Sequence, residues 1–235
     1  MWRHVNGCEY RTSGHHSGMA DVRHPSGVIP WAPCRALKHS ADRVVALGLL
    51  TVIVGPLLVI GMLVSLTSSG APLFVQRRIG RGGAHFSMLK IRSMVMDAEA
   101  RIHEVRHLHV RDVESAGVLF KARADPRVTP IGHVLRRWSL DELPQIINVV
   151  KGEMSLVGPR PALPDEVQLY APGMLRRLTV RPGITGLWQV SGRSELSVEE
   201  STRLDLWYVD NWSLRLDMKI LVRTATAVLR RTGAY

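Results

Sequence analysis

Residues Val44 to Leu66 read VVALGLLTVIVGPLLVIGMLVSL, 23 residues without a charge, and the charge-free run continues to Gln76. As a helix, this stretch reaches about 35 Å, enough to cross a bilayer core. It is not a secretory signal, because 43 residues precede it and no small-residue cleavage site follows. Gly55-Pro56 stands at its centre. Proline removes a backbone donor and clashes with the preceding turn, so a kink is predicted there. Arg35, Lys38 and Arg43 come before the run, and Arg77, Arg78 and Arg81 come after it. The positive-inside rule draws both ends to the cytoplasm. A broken helix that returns to its own side, a re-entrant hairpin, is the expectation; a single kinked span is the alternative.

Working outward, residues 1–36 are polar and lack apolar periodicity, which predicts a flexible tail. Residues 37–71 hold the membrane segment, and residues 72–235 read as a globular domain. The 235 residues carry 31 Lys and Arg against 20 Asp and Glu, a net +11. With 46% apolar and 22% charged residues, the chain buries a core and is no disordered polybasic tail. Two cysteines, Cys8 and Cys34, exclude a disulfide scaffold and a CxxC zinc ribbon. The excess of base calls for an anionic partner: nucleic acid, phosphorylated small molecules, or an anionic membrane face.

LFVQRRIG and HFSMLKIRSM have strand-like content around the glycine-rich turn Gly80–Gly83. Asp97 to Val113 reads as a charged helix. Ser139 to Lys151 reads as a helix with Leu140, Leu143, Ile146, Ile147 and Val150 on its apolar face, ended by Gly152. Helices are also predicted over Val198–Trp212 and Ser213–Arg231. The last is amphipathic and basic, suited to an anionic bilayer surface or to core packing.

Two motifs bear on chemistry. His103-Glu104-Val105-Arg106-His107 is a literal HExxH, which on a helix offers two histidines to zinc and Glu104 as a base. Its surroundings are strongly charged and no third ligand follows, which favours a solvated helix. The second is Asp141-Glu142, at a helix start among Arg127, Arg136, Arg137 and Arg160. Ser139 with Glu142 reads as a capping box. That accounts for Glu142 but not for the arginines or for Gly158-Pro159-Arg160-Pro161. An ionised aspartate beside arginine forks and backbone donors has the makings of a nucleophile toward phosphorus.

These segments resemble the bacterial sugar transferases, the monotopic phosphoglycosyl transferases also known as undecaprenyl-phosphate sugar phosphotransferases. The resemblance rests on GAPLFVQRRIGRGG, MLKIRSM, DPRVTPIG, LRRWSLDELPQIINVVKGEMSLVGPRP, VRPGITGLWQVSGR and LDLWYVDNWSLRLDMKIL, and runs from about Lys38 to the C-terminus. It implies an α+β, mainly helical chain, in which a re-entrant membrane helix precedes a small cytosolic catalytic domain with amphipathic interfacial helices. The family's break is usually Ser-Pro; here it is Gly55-Pro56.

By motif position the resemblance makes Asp141 the nucleophile and Glu142 its partner, the two holding Mg²⁺. Arg136 and Arg160 match phosphate-contacting arginines. Lys90, Arg92, Asp125 and Arg127 match the active-site region, and Arg181 and Arg193 the nucleotide-sugar side. The implied reaction moves a sugar 1-phosphate from a UDP-sugar to polyprenyl phosphate and releases UMP, at the cytoplasmic face of the bacterial inner membrane. NWSLRLDMKIL resembles the hexose-1-phosphate branch that serves exopolysaccharide or O-antigen synthesis. The implied partners are a UDP-sugar, polyprenyl phosphate and membrane lipids, without nucleic acid, and with a homo-oligomer left open. The rival readings are a non-catalytic basic membrane-surface scaffold and, more distantly, a zinc protease.

Overall fold

The computed structural model describes residues 2–5, 8–11, 32–101, 125–192 and 196–230. Two short strands, β1 (Trp2–Val5) and β2 (Cys8–Arg11), pair antiparallel in the stretch read as a tail. Helix α1 runs from Ala32 to Thr67, 36 residues or about 54 Å of helix. The backbone stays helical through Gly55-Pro56, where a break was expected. The reason is local. Gly55 and Pro56 are exposed and Gly55 has nothing within 4 Å of its Cβ position, so only one rung of the ladder is lost.

A single stripe of α1 faces the rest of the chain: Lys38, Asp42, Ala46, Leu50, Ile53, Leu57, Ile60 and Val64. The spacing of three and four residues keeps them on one side. The other side is apolar and open, with Val44, Val52, Leu58 and Leu66 each about 70% exposed.

β3 (Leu73–Ile79) and β4 (His85–Ile91) form the expected hairpin, with Leu73 opposite Ile91 and Ile79 opposite His85. Helix α2 (Pro130–Arg137) is capped by Thr129, whose Oγ1 accepts from Gly132 N–H at 3.0 Å. Helix α3 (Gln145–Lys151) ends at Gly152 in the left-handed conformation. β5 (Ser155–Val157) pairs parallel with β6 (Gly183–Thr185). Short α4 (Pro164–Gln168) lies between them in sequence, and α5 (Val198–Asp210) and α6 (Leu214–Arg230) follow. These two match the predicted helices. Residues 102–113 of the predicted charged helix, with its HExxH, lie outside the described residues.

The main core gathers Ala46 of α1, Phe86 and Met88 of β4, Ile146 and Val149 of α3, Leu156 and Val157 of β5, Tyr208 of α5, and Leu216 and Ile220 of α6. A second cluster joins Val64 of α1 to Ile91 and Leu135. Both ends of α1 therefore rest on the same body.

The start of α1 is held by a buried polar network. Lys38 Nζ lies 2.6 Å from Asp217 and 3.4 Å from Asp42. Ser155 donates to Asp42. Tyr208 and Trp212 donate to Asp217 at 2.7 and 3.0 Å. At the other end, Arg92 donates to the carbonyls of Ser68, at 2.8 Å, and Ser69.

Candidate active site

The Asp141-Glu142 pair does not open a regular helix. It sits on a 3-10 turn, Leu140–Glu142, and α3 begins only at Gln145. Pro144 has no N–H to join an α-helical ladder, so the bonds here span three residues: Glu142 to Ser139 and Leu143 to Leu140, both 3.3 Å. The predicted capping box is absent. Ser139 stands in the left-handed region at φ 55 and makes no side-chain cap bond. Among the described residues it alone, outside glycine, has positive φ. That conformation is strained for an L-residue, and it opens the turn on which Asp141 and Glu142 stand.

Glu142 meets Lys90 of β4, Oε1 to Nζ, at 3.1 Å. Lys90 is kept in place through α3. Asn148, fully buried, donates to the Ser87 carbonyl at 2.8 Å and to Glu153 at 2.7 Å, and accepts from Leu89 N–H at 3.1 Å. Arg136 at the end of α2 donates to Ser93 Oγ at 2.9 Å, and its field reaches Asp141. Asp141 has its pKa raised, first by burial and next by the Glu142 charge beside it; Lys90 and Arg136 work against both. Two adjacent carboxylates with basic neighbours form a hard oxygen-donor set. That set suits a divalent cation completed by water and phosphate oxygens.

Arg160 follows β5 in the Gly158-Pro159-Arg160-Pro161 loop and lies 3.4 Å from Glu166. A side chain at Gly158 would meet the Arg181 carbonyl at 2.6 Å, and one at Gly183 would meet Gly158 N at 2.1 Å. The two backbones touch there, which only glycines permit. Beside Arg160 lies Arg78 of β3, a residue sequence reading missed. It is buried, donates to the Pro161 carbonyl at 2.9 Å, and has its pKa pushed down to about 10 by burial and then by Arg160. Glu142 acts on Arg78 in the opposite direction, which links the arginine pair to the dyad. The RR pair in LFVQRRIG was read only as membrane-flanking charge, although alternation along β3 turns Arg77 outward and Arg78 inward.

Other expected site residues stand elsewhere. Arg92 is buried and occupied with the end of α1, so it acts on the helix and not on the dyad. Asp125 and Arg127 are buried on each other, with Nε–Oδ1 2.9 Å and NH2–Oδ2 2.7 Å. That contact, more than any other, lowers the Asp125 pKa. Arg127 also donates to the Ala98 carbonyl at 2.9 Å; the pair fixes the approach to α2. Arg181 lines a separate cavity with Arg35, His39, Arg43 and Arg81. Arg193 and the His103–His107 motif lie outside the described residues. The structure thus brings together Asp141, Glu142, Lys90 and Arg136, and adds Arg78 with Arg160.

The profile of the family described as Bacterial sugar transferase matches residues 34–231. The chain is 45% identical over 201 residues to the UDP-galactose-lipid carrier transferase of Erwinia amylovora, covering 86% of this chain and 42% of that protein. It is 41% identical over 199 residues to the exopolysaccharide production protein ExoY of Rhizobium meliloti, covering 84% and 88%. It is 40% identical over 220 residues to the UDP-glucose:undecaprenyl-phosphate glucose-1-phosphate transferase of Caulobacter vibrioides, covering 90% and 76%. The chain spans less than half the length of the Erwinia protein. Across most of its length, from the membrane-type helix to α6, the chain belongs to the bacterial sugar transferase family.

Proposed function

We propose that the chain transfers a sugar 1-phosphate from a UDP-sugar to undecaprenyl or another polyprenyl phosphate. The observation that carries this reading is a partly buried Asp141 on a strained turn, flanked by Glu142 and by Lys90 and Arg136. The names of the relatives agree with it: galactose-lipid carrier transfer, exopolysaccharide production and glucose-1-phosphate transfer to undecaprenyl phosphate.

In the first step a carboxylate oxygen of Asp141 attacks the sugar-bearing phosphorus. A bond forms from aspartate oxygen to phosphorus, and the bond to the bridging oxygen breaks. UMP leaves with that oxygen. In the second step a phosphate oxygen of the lipid attacks the same phosphorus, and the aspartyl oxygen departs as carboxylate. Arg136 and Lys90 neutralise charge on the equatorial oxygens. Arg160 would neutralise charge on the departing UMP, and Arg78, buried with its donors on Gln76 and the Pro161 carbonyl, adds its charge from behind. Asp141 and Glu142 would hold Mg²⁺, which supplies Lewis-acid neutralisation of the phosphoryl oxygens when bound.

α1 supports a placement on one side of the membrane. One stripe is docked along the domain and the opposite side is apolar and exposed, so a bilayer-crossing α1 would drag the polar domain into lipid. Both ends on one body support a domain that rests on one leaflet, and the basic flanks of the apolar run favour the cytoplasmic face of the bacterial inner membrane. α6 adds a second apolar stripe, Leu214, Met218, Val222 and Leu229, all exposed.

The test incubates the chain in bilayer nanodiscs with a UDP-sugar labelled in the sugar, without lipid phosphate. One equivalent of UMP should appear with the label on Asp141, and neither should appear in Asp141→Asn. Normal turnover by that variant rejects the covalent route.

A further inference from the structure

One cavity lies away from the dyad. It encloses about 410 Å³. Arg35, His39 and Arg43, spaced four apart on the first turns of α1, form one wall with Ser40. Arg81 enters from the β3–β4 turn and Arg181 from the loop before β6. Four guanidinium groups thus converge from three separate segments.

Such convergence is unfavourable without a counter-charge. Among the described residues no carboxylate lies within salt-bridge distance of any of the four. Arg181 shows the strain: its pKa is lowered by burial and then by Arg43 and Arg81 beside it. Asp42, the acid it feels, is committed to Lys38 and Ser155. His39 also lines the cavity, and its Nδ1 is fully buried without a hydrogen-bond partner.

The cavity is also remote from the dyad. Arg81 lies in the turn that joins Ile79 of β3 to His85 of β4, while Lys90 contacts Glu142. Five residue steps along β4 take His85 to Lys90, about 17 Å. Arg43, on the cavity wall, directly precedes the apolar run that opens at Val44.

We propose that this cavity is a phosphate-binding site separate from the dyad, built for the phosphoryl group of a lipid headgroup or of a soluble phosphate. Several arginine forks around one anion match the geometry of phosphate recognition.

The test uses the full chain in a neutral, phosphate-free detergent. Calorimetry measures binding of inorganic phosphate and, separately, of dihexanoyl phosphatidic acid. Arg43→Gln with Arg81→Gln, both at exposed positions, should weaken binding about tenfold or more. Arg136→Gln, at the dyad, should leave that component unchanged. Phosphatidic acid binding at least ten times tighter than phosphate assigns the site to a lipid headgroup; equal affinities assign it to a soluble phosphate. Absence of saturable binding by either probe overturns the proposal, as does a loss caused by Arg136→Gln and not by the cavity pair. Should the double variant misfold, phenylglyoxal modification of the unaltered chain decides: phosphate or phosphatidic acid must shield Arg43 and Arg81, and unshielded arginines overturn the site.

Discussion

The Oδ1 of Asn148 accepts from the backbone N–H of Leu89 at 3.1 Å, so α3 grips β4 one residue before the lysine that meets Glu142. Nδ2 of the same side chain closes the clamp on the Ser87 carbonyl. Asn148→Ala leaves these partly buried strand groups without their partner, which costs about 1–3 kcal/mol. Lys90 loses its register with the dyad as well, and a displacement near 1 Å lowers turnover about a hundredfold. Thermal melting and UMP release measured on the same preparation check both; an unchanged melting curve contradicts the clamp.

The raised pKa of Asp141 has burial as its first cause and the Glu142 charge as its second. A carboxylate nucleophile must be ionised, so activity should rise with pH through that raised value. Glu142→Gln removes the neighbouring negative charge and lowers the Asp141 pKa toward its usual range. The acid limb of the kcat/KM profile should therefore move to lower pH, while the maximum rate falls. A limb that stays in place, or moves up, is inconsistent with the pair acting on each other.

Asp205 in α5 is buried on Arg177, with Oδ2 2.6 Å from its guanidinium, and burial pushes its pKa up to about 6. An acid with a folded pKa above its unfolded value, about 4, adds stability that is complete below pH 4. That contribution is lost as pH rises through 6. Melting temperatures recorded from pH 4 to 7 should carry this downward component, and Asp205→Asn should flatten it. The slope is the readout, because the variant also leaves Arg177 without its partner.

Lys38 lies between Asp42 and Asp217. Lys38→Met leaves two buried carboxylates uncompensated, at a cost of about 3–5 kcal/mol. The first turns of α1 should detach before the domain unfolds. Hydrogen exchange across residues 35–46, faster in the variant while β4 stays protected, is the measurement that checks it.

A chain with Cys8 and Cys34 replaced by serine, and with either Ala41→Cys or Ala71→Cys, reports the disposition of α1 in cells. Both positions are exposed and flank the apolar run. An impermeant maleimide added to spheroplasts should label neither, and both should react after lysis. Labelling of one position from outside establishes a full span.

Much of this was legible from residue types alone. The apolar run, the β3–β4 hairpin and helices α5 and α6 follow from period and composition, because each carries its pattern within its own segment. Asp141, Glu142 and Arg136 fall within seven residues, so their proximity is a local property. Arg92 illustrates the limit. It sits in the same motif as Lys90 and two residues on, the spacing that shares a strand face. Yet it lies just past the end of β4 and is drawn to the Ser68 and Ser69 carbonyls at the end of α1, which only tertiary packing determines. Arg78 was hidden for the opposite reason, since its partner Pro161 is 83 positions away. At Ser139 the cap pattern competes with Pro144, and the proline's missing donor prevails.

On the proposed placement, the attachment of α1 by both ends to one body sets a fixed gauge between membrane and chemistry. Lys38 holds one mark and the Ser68–Ser69 carbonyls hold the other, so the length between them is a spacing and not a bilayer thickness. A four-residue insertion near Leu58 would add about 6 Å and force one mark to be surrendered, even in a membrane thick enough to cover the added turn. Natural lengthening of this segment therefore has to be matched by movement of the loop that carries Arg92, and the altitude of Asp141 over the lipid phosphates travels with it.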